Sequence, residues 1–379
     1  MTIAVISMIR EAWGGSEELW AAMAEGALTK GHKVIHVTYR FTPVHPKMQV
    51  LLKKGLVTYY RPSYQQVPGN TLQVIIGRAV FFIQKRLNKT LEKMLKERPD
   101  VILYNGTCYS IASETKLLDR LAHLPVPFYI LGHFNREDGS DLAETAIPII
   151  KKAYDRSKQV FFITERSIQK ARLFLKSDIP NALVVRNPVN ISGTEIIPFP
   201  IGATVQFAMV GNLVMVHKGQ DIALEVLATK TWKQRRWHLN IYGSGHDEIA
   251  LKNLVDILGL QNNVSFHGRV TDIRAVWRSN HVLLMPSRME GMPLAVVESM
   301  ICGRPCVVTD VGGHREWVED GKQGFIAASA NAAGFGEALE RAWLAMNQWD
   351  AIGQTAHEKA MQLYDPNAGQ TLLRLLEKT

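Results

Sequence analysis

Short apolar runs alternate with amphipathic stretches along most of this 379-residue chain. In the first half, strand-type runs fall at Ile3–Ser7, Lys33–Tyr39, Val101–Asn105, Pro127–Leu131, Gln159–Ile163 and Leu183–Val185. Helical spacing predicts helices over Ser16–Lys30, roughly Gln73–Glu97, Ser110–Ala122, Leu142–Asp155 and Glu165–Leu175. Gly31 stands where a C′ glycine ends the first of them. Arg186-Asn187-Pro188-Val189-Asn190 and the proline-bearing stretch to Ile201 read as a linker, after which the alternation restarts. Strands are expected at Val205–Val210, His238–Tyr242, Val264–His267, His281–Met285 and Cys306–Thr309. Helices are expected at Gln220–Ala228, Asp247–Leu258, Asp272–Arg278, Pro293–Cys302 and Arg315–Glu319. A last helical stretch, Phe335 to Glu377, is broken near Asp365-Pro366.

This βα alternation implies parallel sheets covered by helices, an α/β protein of two doubly wound, Rossmann-like domains. The domains are expected at 1–188 and from 189 onward. In such folds ligands bind beyond the carboxyl ends of the strands, here in a cleft between two domains.

Composition narrows the class. With 46% hydrophobic and 21% charged residues the chain is neither disordered nor fibrous. No apolar run reaches the ~18 residues of a membrane span. Thr2–Ser7 lacks a basic leader and reads as a first strand. Cys108, Cys302 and Cys306 cannot build a disulfide framework, and Cys302 and Cys306 are expected to be buried core thiols. A cytoplasmic protein is the expectation.

The net charge of +9 is uneven: residues 1–190 hold 27 Lys/Arg against 16 Asp/Glu, and residues 191–379 hold 17 against 19. Eleven basic residues fall between Lys47 and Arg98, against Glu92 and Glu97. This segment interleaves Val74-Ile75-Ile76 and Val80-Phe81-Phe82-Ile83 with Arg78, Lys85, Arg86 and Lys89. It reads either as a peripheral dock for an anionic membrane or as a core helix with a solvated basic face. No nucleic-acid motif accompanies the charge.

The most informative stretch runs from Glu290 to Glu298, with Gly291-Met292-Pro293-Leu294 at the passage from loop to helix. Pro293 suits a first helical turn. The N–H groups of Gly291, Met292 and Leu294 then lie near a helix N-terminus, which favours an anion. Spacing alone favours a surface helix with two solvated glutamates. The preceding strand and the following Gly303-Arg304-Pro305 favour a nucleotide-sugar grip, with Glu290 on sugar hydroxyls and Glu298 on a ribose diol. Further candidates follow other strands of the same sheet: Gly211-Asn212-Leu213 ahead of Lys218-Gly219, Tyr242-Gly243-Ser244-Gly245, and His267-Gly268-Arg269-Val270. Lys218, read as the start of a helix, is placed to meet a diphosphate. In the first half, Gly14-Gly15 lets the backbone approach a phosphate or sugar, and Ser16 is expected to cap the helix. His133 ends a strand where an imidazole can touch the transferred sugar, with Asn105 on the same rim, on the acceptor side together with Gly14.

On these motifs the chain resembles the retaining glycosyltransferases of the GT-B fold, over nearly its full length and most strongly from Val205 to Ala327. The resemblance implies that Glu290 contacts the donor sugar, Glu298 the ribose and Lys218 the diphosphate. It implies a glycine loop that closes over donor and acceptor. It also implies a last helix, within about 358–379, that packs back on the first domain and leaves 189–357 as the donor domain.

One position departs from the family. An arginine usually stands six residues before the lysine, and here that residue is Asn212, an amide without charge. His217, Arg269 and Arg288 are candidates to compensate. No Asp-x-Asp motif occurs, so a metal-independent reaction without a cofactor is expected. The expected partners are a nucleotide-sugar donor and a glycan, lipid-linked or small-molecule acceptor, with bacterial cell-surface glycan synthesis as the setting. The alternatives are a nucleotide-sugar-binding protein with weak or no turnover, and a GT-B-fold epimerase.

Overall fold

The computed structural model describes residues 1–10, 12–62, 88–121 and 123–378. The chain divides into two units: Met1–Pro188 with Asp365–Thr379, and Val189–Tyr364.

Unit 1 is built on a parallel sheet of seven strands: β1 (Thr2–Ser7), β2 (Lys33–Tyr39), β3 (Val57–Arg61), β4 (Val101–Gly106), β5 (Phe128–Gly132), β6 (Gln159–Phe162) and β7 (Ala182–Val184). Their order is β3-β2-β1-β4-β5-β6-β7. The central strands are near-continuous apolar runs because helices cover both faces, and every residue of β4 is buried. The order reverses between β1 and β4, where Ser7 pairs in register with Asn105 at the carboxyl ends. The last helix, Ala368–Glu377, belongs to this unit and packs on the helix Gly15–Thr29. Leu372, Leu373 and Leu376 are fully buried there, each contributing roughly 1.5–3 kcal/mol of transfer free energy. The contact is close: a Cβ on Gly369 would lie 2.5 Å from the Ala22 carbonyl carbon. Glu377 adds an ion pair to Lys30 and a hydrogen bond from His32 Nε2.

Unit 2 has a second parallel sheet: β8 (Val205–Val210), β9 (Trp237–Tyr242), β10 (Val264–Gly268), β11 (Val282–Met285), β12 (Cys306–Thr309) and β13 (Gly324–Ala327). Its order is β10-β9-β8-β11-β12-β13, with the reversal between β8 and β11. All its pairings are parallel, so the loops after β8, β9, β10 and β11 leave one edge of the sheet. The linker stretch is pinned to this unit. Fully buried Arg304 donates to the carbonyls of Ile197, Pro198, Trp277 and Asn280. The Gly-Arg-Pro motif is thus a structural anchor.

Several local expectations are corrected. Edge strands β3 and β13 and the helix Pro46–Lys53 have no counterpart in the sequence reading. The stretch after Ser110 is a 3-10 turn, Ser110–Ser113, followed by the helix Thr115–Leu121. Gly14, in extended backbone, is the N-cap of the first helix, so Ser16 lies inside that helix and caps nothing. Pro293 is likewise the N-cap of the helix Leu294–Ile301 and precedes its first turn. Lys218 closes the short helix Met215–Lys218, and the next helix begins at Gln220. Of the expected helix Gln73–Glu97, Thr90–Lys96 is helical, and its apolar-basic part through 87 lies outside the described residues. Among the described residues no helix is long and apolar enough to cross a membrane. The three cysteines are free and buried.

Candidate functional site

The reversal of strand order in unit 2 brings together two loops that are distant in the chain. From the β8 side, Lys218 extends its ammonium to Glu290, which follows β11, with Nζ 2.6 Å from Oε1. The Ser287 hydroxyl donates to the same oxygen at 2.7 Å. The Glu290 side chain is only 6% exposed, so it is not a solvated surface group. Burial pushes the Glu290 carboxyl up, but the charges of Lys218 and His314 and the two donated bonds outweigh it and hold the group below the usual carboxylate range. His314 is fully buried and donates Nδ1–H to the Thr309 carbonyl, and burial lowers its pKa. The Thr309 hydroxyl in turn donates to the Ser287 carbonyl.

Two glycines make this approach possible. Gly219 has φ +63°, and a Cβ there would sit 2.1 Å from the Pro286 carbonyl oxygen. Gly312 has φ +51°, and a Cβ there would sit 2.2 Å from the Glu290 carbonyl oxygen. Side chains at either place would force the Glu290 loop away from Lys218 or His314.

The neighbouring loops are fastened edge to edge. Gly211 N–H donates to the Tyr242 carbonyl, Leu213 N–H to Ser244, and Gly243 N–H to Gly268. They border a small, open depression at the carboxyl ends of β8, β9 and β11, lined in part by Gly211, Lys218, Gln220, Tyr242 and Ser287. Asn212 is exposed, and its carbonyl accepts from the Gln220 amide. Of the cations considered as replacements for the missing arginine, Arg288 is held by both oxygens of Asp221 at 2.8 and 2.7 Å. Its charge is already matched. Arg269 is exposed and donates to the Ser244 hydroxyl, beside intermediate Val270. The Arg288 and Met289 N–H groups donate to the His217 carbonyl.

Past Glu290, Gly291 accepts from Gly313 N–H, which ties the turn to the loop after β12. Met292 is buried, and Leu294 opens a helix whose first N–H groups have no acceptor within the helix. Glu298 is the single ionisable residue of that helix and is 7% exposed. A carboxylate amid seven consecutive buried positions costs too much to be retained for solubility. Among the described residues no group of three or more His, Cys, Asp or Glu is arranged to hold a metal ion.

Unit 1 carries a separate polar cluster at the carboxyl ends of β1, β4 and β5. His133, 6% exposed, places Nε2 2.6 Å from the Asn105 Oδ1. Asn105, expected on the acceptor rim, is fully buried, and its amide is committed inward: Nδ2 donates to Glu17 Oε1 at 2.9 Å. The Ser7 hydroxyl donates to that oxygen too. Burial pushes the Glu17 carboxyl up to about 7 and the His133 imidazole down to about 3. Gly15 opens the helix that carries Glu17, next to Gly14.

The sequence assigns no site role to Ser287, Thr309, His314 or Glu17, although Glu17 lies in the Gly14-Gly15-Ser16-Glu17 motif. Ser287, three residues before Glu290, and Glu17, two after Gly15, were within sight, but nothing in their spacing marks them as partners.

Comparison with known proteins bears on the family and the fold. Residues 204–344 match the profile of the family described as Glycosyl transferases group 1. An uncharacterized glycosyltransferase of Haemophilus influenzae is 36% identical over 123 residues, 32% of this chain and 35% of that protein. A putative glycosyltransferase, EpsD, of Bacillus subtilis is 28% identical over 147 residues, 39% of each chain. The matched stretches thus span well under half the length of these relatives. Among solved structures, Anabaena HepE in complex with UDP aligns over 100% of both chains with a TM-score of 0.75 at 17% identity. Sucrose-phosphate synthase from Thermosynechococcus elongatus aligns over 100% of this chain and 98% of its own, with a TM-score of 0.72 at 15% identity. Residues 204–344 thus match the Glycosyl transferases group 1 family, in a chain whose two Rossmann-like units have the fold of the GT-B glycosyltransferases.

Proposed function

We propose that the protein is a retaining, metal-independent glycosyltransferase that moves a sugar from a nucleoside diphosphate to a hydroxyl of a glycan, lipid-linked or small-molecule acceptor. The observation that carries this reading is the part-buried Lys218–Glu290–Ser287 cluster at the strand-order reversal of unit 2. A cation fixed by a carboxylate beside a helix N-terminus suits a sugar diphosphate, which is anionic at one end and hydroxyl-rich at the other. In the reaction, the bond from the anomeric carbon to the β-phosphate oxygen breaks and a bond to the acceptor oxygen forms on the same face. The acceptor proton passes to the departing phosphate. Lys218 and the N–H groups of Met292 and Leu294 stabilise the charge that grows on the diphosphate. Glu290 orients the sugar through its hydroxyls, and Glu298 takes the ribose diol. His133 hydrogen-bonds the sugar.

Neighbouring folds solved with UDP or UDP-glucose support a nucleotide-sugar donor. Relatives named as an exopolysaccharide phosphotransferase and as a poly(ribitol-phosphate) alpha-N-acetylglucosaminyltransferase support a polysaccharide setting. A thermal-shift panel of UDP-, GDP- and ADP-sugars tests the donor class: a bound donor at 100 times its Kd stabilises the fold by about 2.7 kcal/mol. No shift with any of them would refute the proposal. Transfer that persists in EDTA is expected, and a requirement for added Mn²⁺ would overturn metal independence. A second reading, a binding protein with little turnover, draws on exposed Asn212 in place of a second cation. Donor binding without transfer would select it.

A further inference from the structure

In the polar cluster of unit 1 the hydrogen bonds are donated in one direction, from an imidazole through an amide to a carboxyl. Glu17 Oε1 accepts twice, from the Ser7 hydroxyl at 2.9 Å and from Asn105 Nδ2 at 2.9 Å. An oxygen that accepts fixes which end of the Asn105 amide faces it: the NH₂ end. The amide carbonyl must then point the other way, where His133 Nε2 lies 2.6 Å off. A carbonyl oxygen only accepts, so the proton of the ring sits on Nε2. Since the buried ring is neutral, Nδ1 keeps a bare lone pair. Nδ1 is buried and has no hydrogen-bond partner among the described residues.

The chain of dependence has a simple structural basis. Ser7 and Asn105 are register partners where β1 and β4 meet, and His133 follows the end of β5, beside β4. Its N–H is fixed by the Gly106 carbonyl. Glu17 stands in the first turn of the helix after β1 and is 4% exposed. Nothing about a buried glutamate there serves packing better than an apolar residue would. Its two donors explain why it is present.

We propose that Glu17 is a positioning residue that acts through Asn105 to lock His133 in its Nε2–H tautomer, so that Nδ1 is held as a hydrogen-bond acceptor for a ligand hydroxyl. This rests on the transferase reading only for the identity of the hydroxyl, which would be that of a sugar. The lock works with Glu17 ionised or neutral, because a proton on Oε2 leaves Oε1 free to accept from both donors. A buried acceptor without a partner is selective: it rewards a ligand that brings a hydroxyl and penalises one that presents an ether or a methyl at that point.

The test is the ¹⁵N spectrum of the full-length protein, with the His133 ring assigned by its loss in His133→Gln. Wild type is expected to show a protonated Nε2 and an unprotonated Nδ1 at pH 7.5. A protonated Nδ1 would overturn the proposal before any Glu17 variant is made. Glu17→Gln, whose amide carbonyl can accept from the same donors, should retain the wild-type pattern. Glu17→Ala, which removes the acceptor, should let the Asn105 amide turn and move population to the Nδ1–H tautomer. Glu17→Asp withdraws the acceptor by one methylene and should move it the same way if Glu17→Ala does not fold. An unchanged Nε2–H signature in a folded Ala or Asp variant would remove Glu17 from the role. These spectra need no turnover, so they stand apart from the transferase assignment. In a transfer assay, Glu17→Ala, His133→Ala and the double variant should each lose roughly tenfold in kcat, the scale of one hydrogen bond, with no additive loss in the double.

Discussion

Lys218 Nζ and Glu290 Oε1 lie 2.6 Å apart although 72 residues separate them in the chain. The lysine is 26% exposed and the glutamate 6%, so the pair is anchored on the carboxylate side. Removing either partner therefore has unequal consequences. Lys218→Ala leaves a buried carboxylate without its main countercharge, which costs roughly 3–5 kcal/mol of stability. It should also raise the Glu290 pKa, because the lysine charge is a principal cause that holds it down. Glu290→Gln keeps a hydrogen-bonding group against Ser287 and should cost far less. Both should reduce transfer by at least ~100-fold, the scale of one oriented charged group. Melting curves set beside initial rates separate the two effects, and near-wild-type turnover in either variant would refute the assigned roles.

Asn212→Arg puts a second cation where the resembling family has one. The position is exposed, so stability should stay within about 0.5 kcal/mol. A charge-assisted bond to the diphosphate should raise kcat/KM roughly tenfold. An unchanged kcat/KM would mean that Lys218, with Arg269 near Ser244, already supplies the charge the reaction needs.

Gly219 carries no side chain, yet Gly219→Ala should be severe. The φ of +63° costs an L residue about 1–3 kcal/mol, and the Pro286 carbonyl must move aside. A shift of about 1 Å between Lys218 and Glu290 is enough to cost on the order of 100-fold in turnover. Rates equal to wild type in a folded Gly219→Ala protein would show that the tight packing of Pro286 on Gly219 does not set the pair.

Glu17 makes the stability of unit 1 depend on pH with a defined sign. Burial raises its pKa from 4.5 to about 7. Below pH 4.5 the carboxyl is neutral folded and unfolded, and no penalty applies. Between 4.5 and 7 the unfolded chain releases the proton while the folded chain keeps it, so stability falls as pH rises, and the loss is complete above about 7. Glu17→Gln has no such window. Its melting temperature relative to wild type should therefore increase from pH 5 to pH 8, by the equivalent of ~3 kcal/mol. A constant difference across that range would show that Glu17 ionises as an ordinary carboxyl.

The sequence by itself determined the architecture and the edge of the sheet where the chemistry sits. Period and length separate buried parallel strands from amphipathic helices, and glycines after successive strands mark the loops of one edge. The edge strands β3 and β13 were not legible, because Val57–Arg61 has little apolar continuity and Gly324–Ala327 is only four residues long. Gly14 and Pro293 became caps one or two residues off because a helix start depends on backbone φ and ψ, which residue type only biases. Glu290, Lys218 and His133 could be singled out by their place after strands. Their partners could not be, since a hydrogen bond is set by distance in space and leaves no spacing in the chain. Only the tertiary structure decided that Glu290 is buried and paired, that Arg288 is spent on Asp221, and that Asn105 turns inward to link Glu17 with His133. Burial is what converts these residue types into fixed charges and fixed tautomers, and burial belongs to the fold.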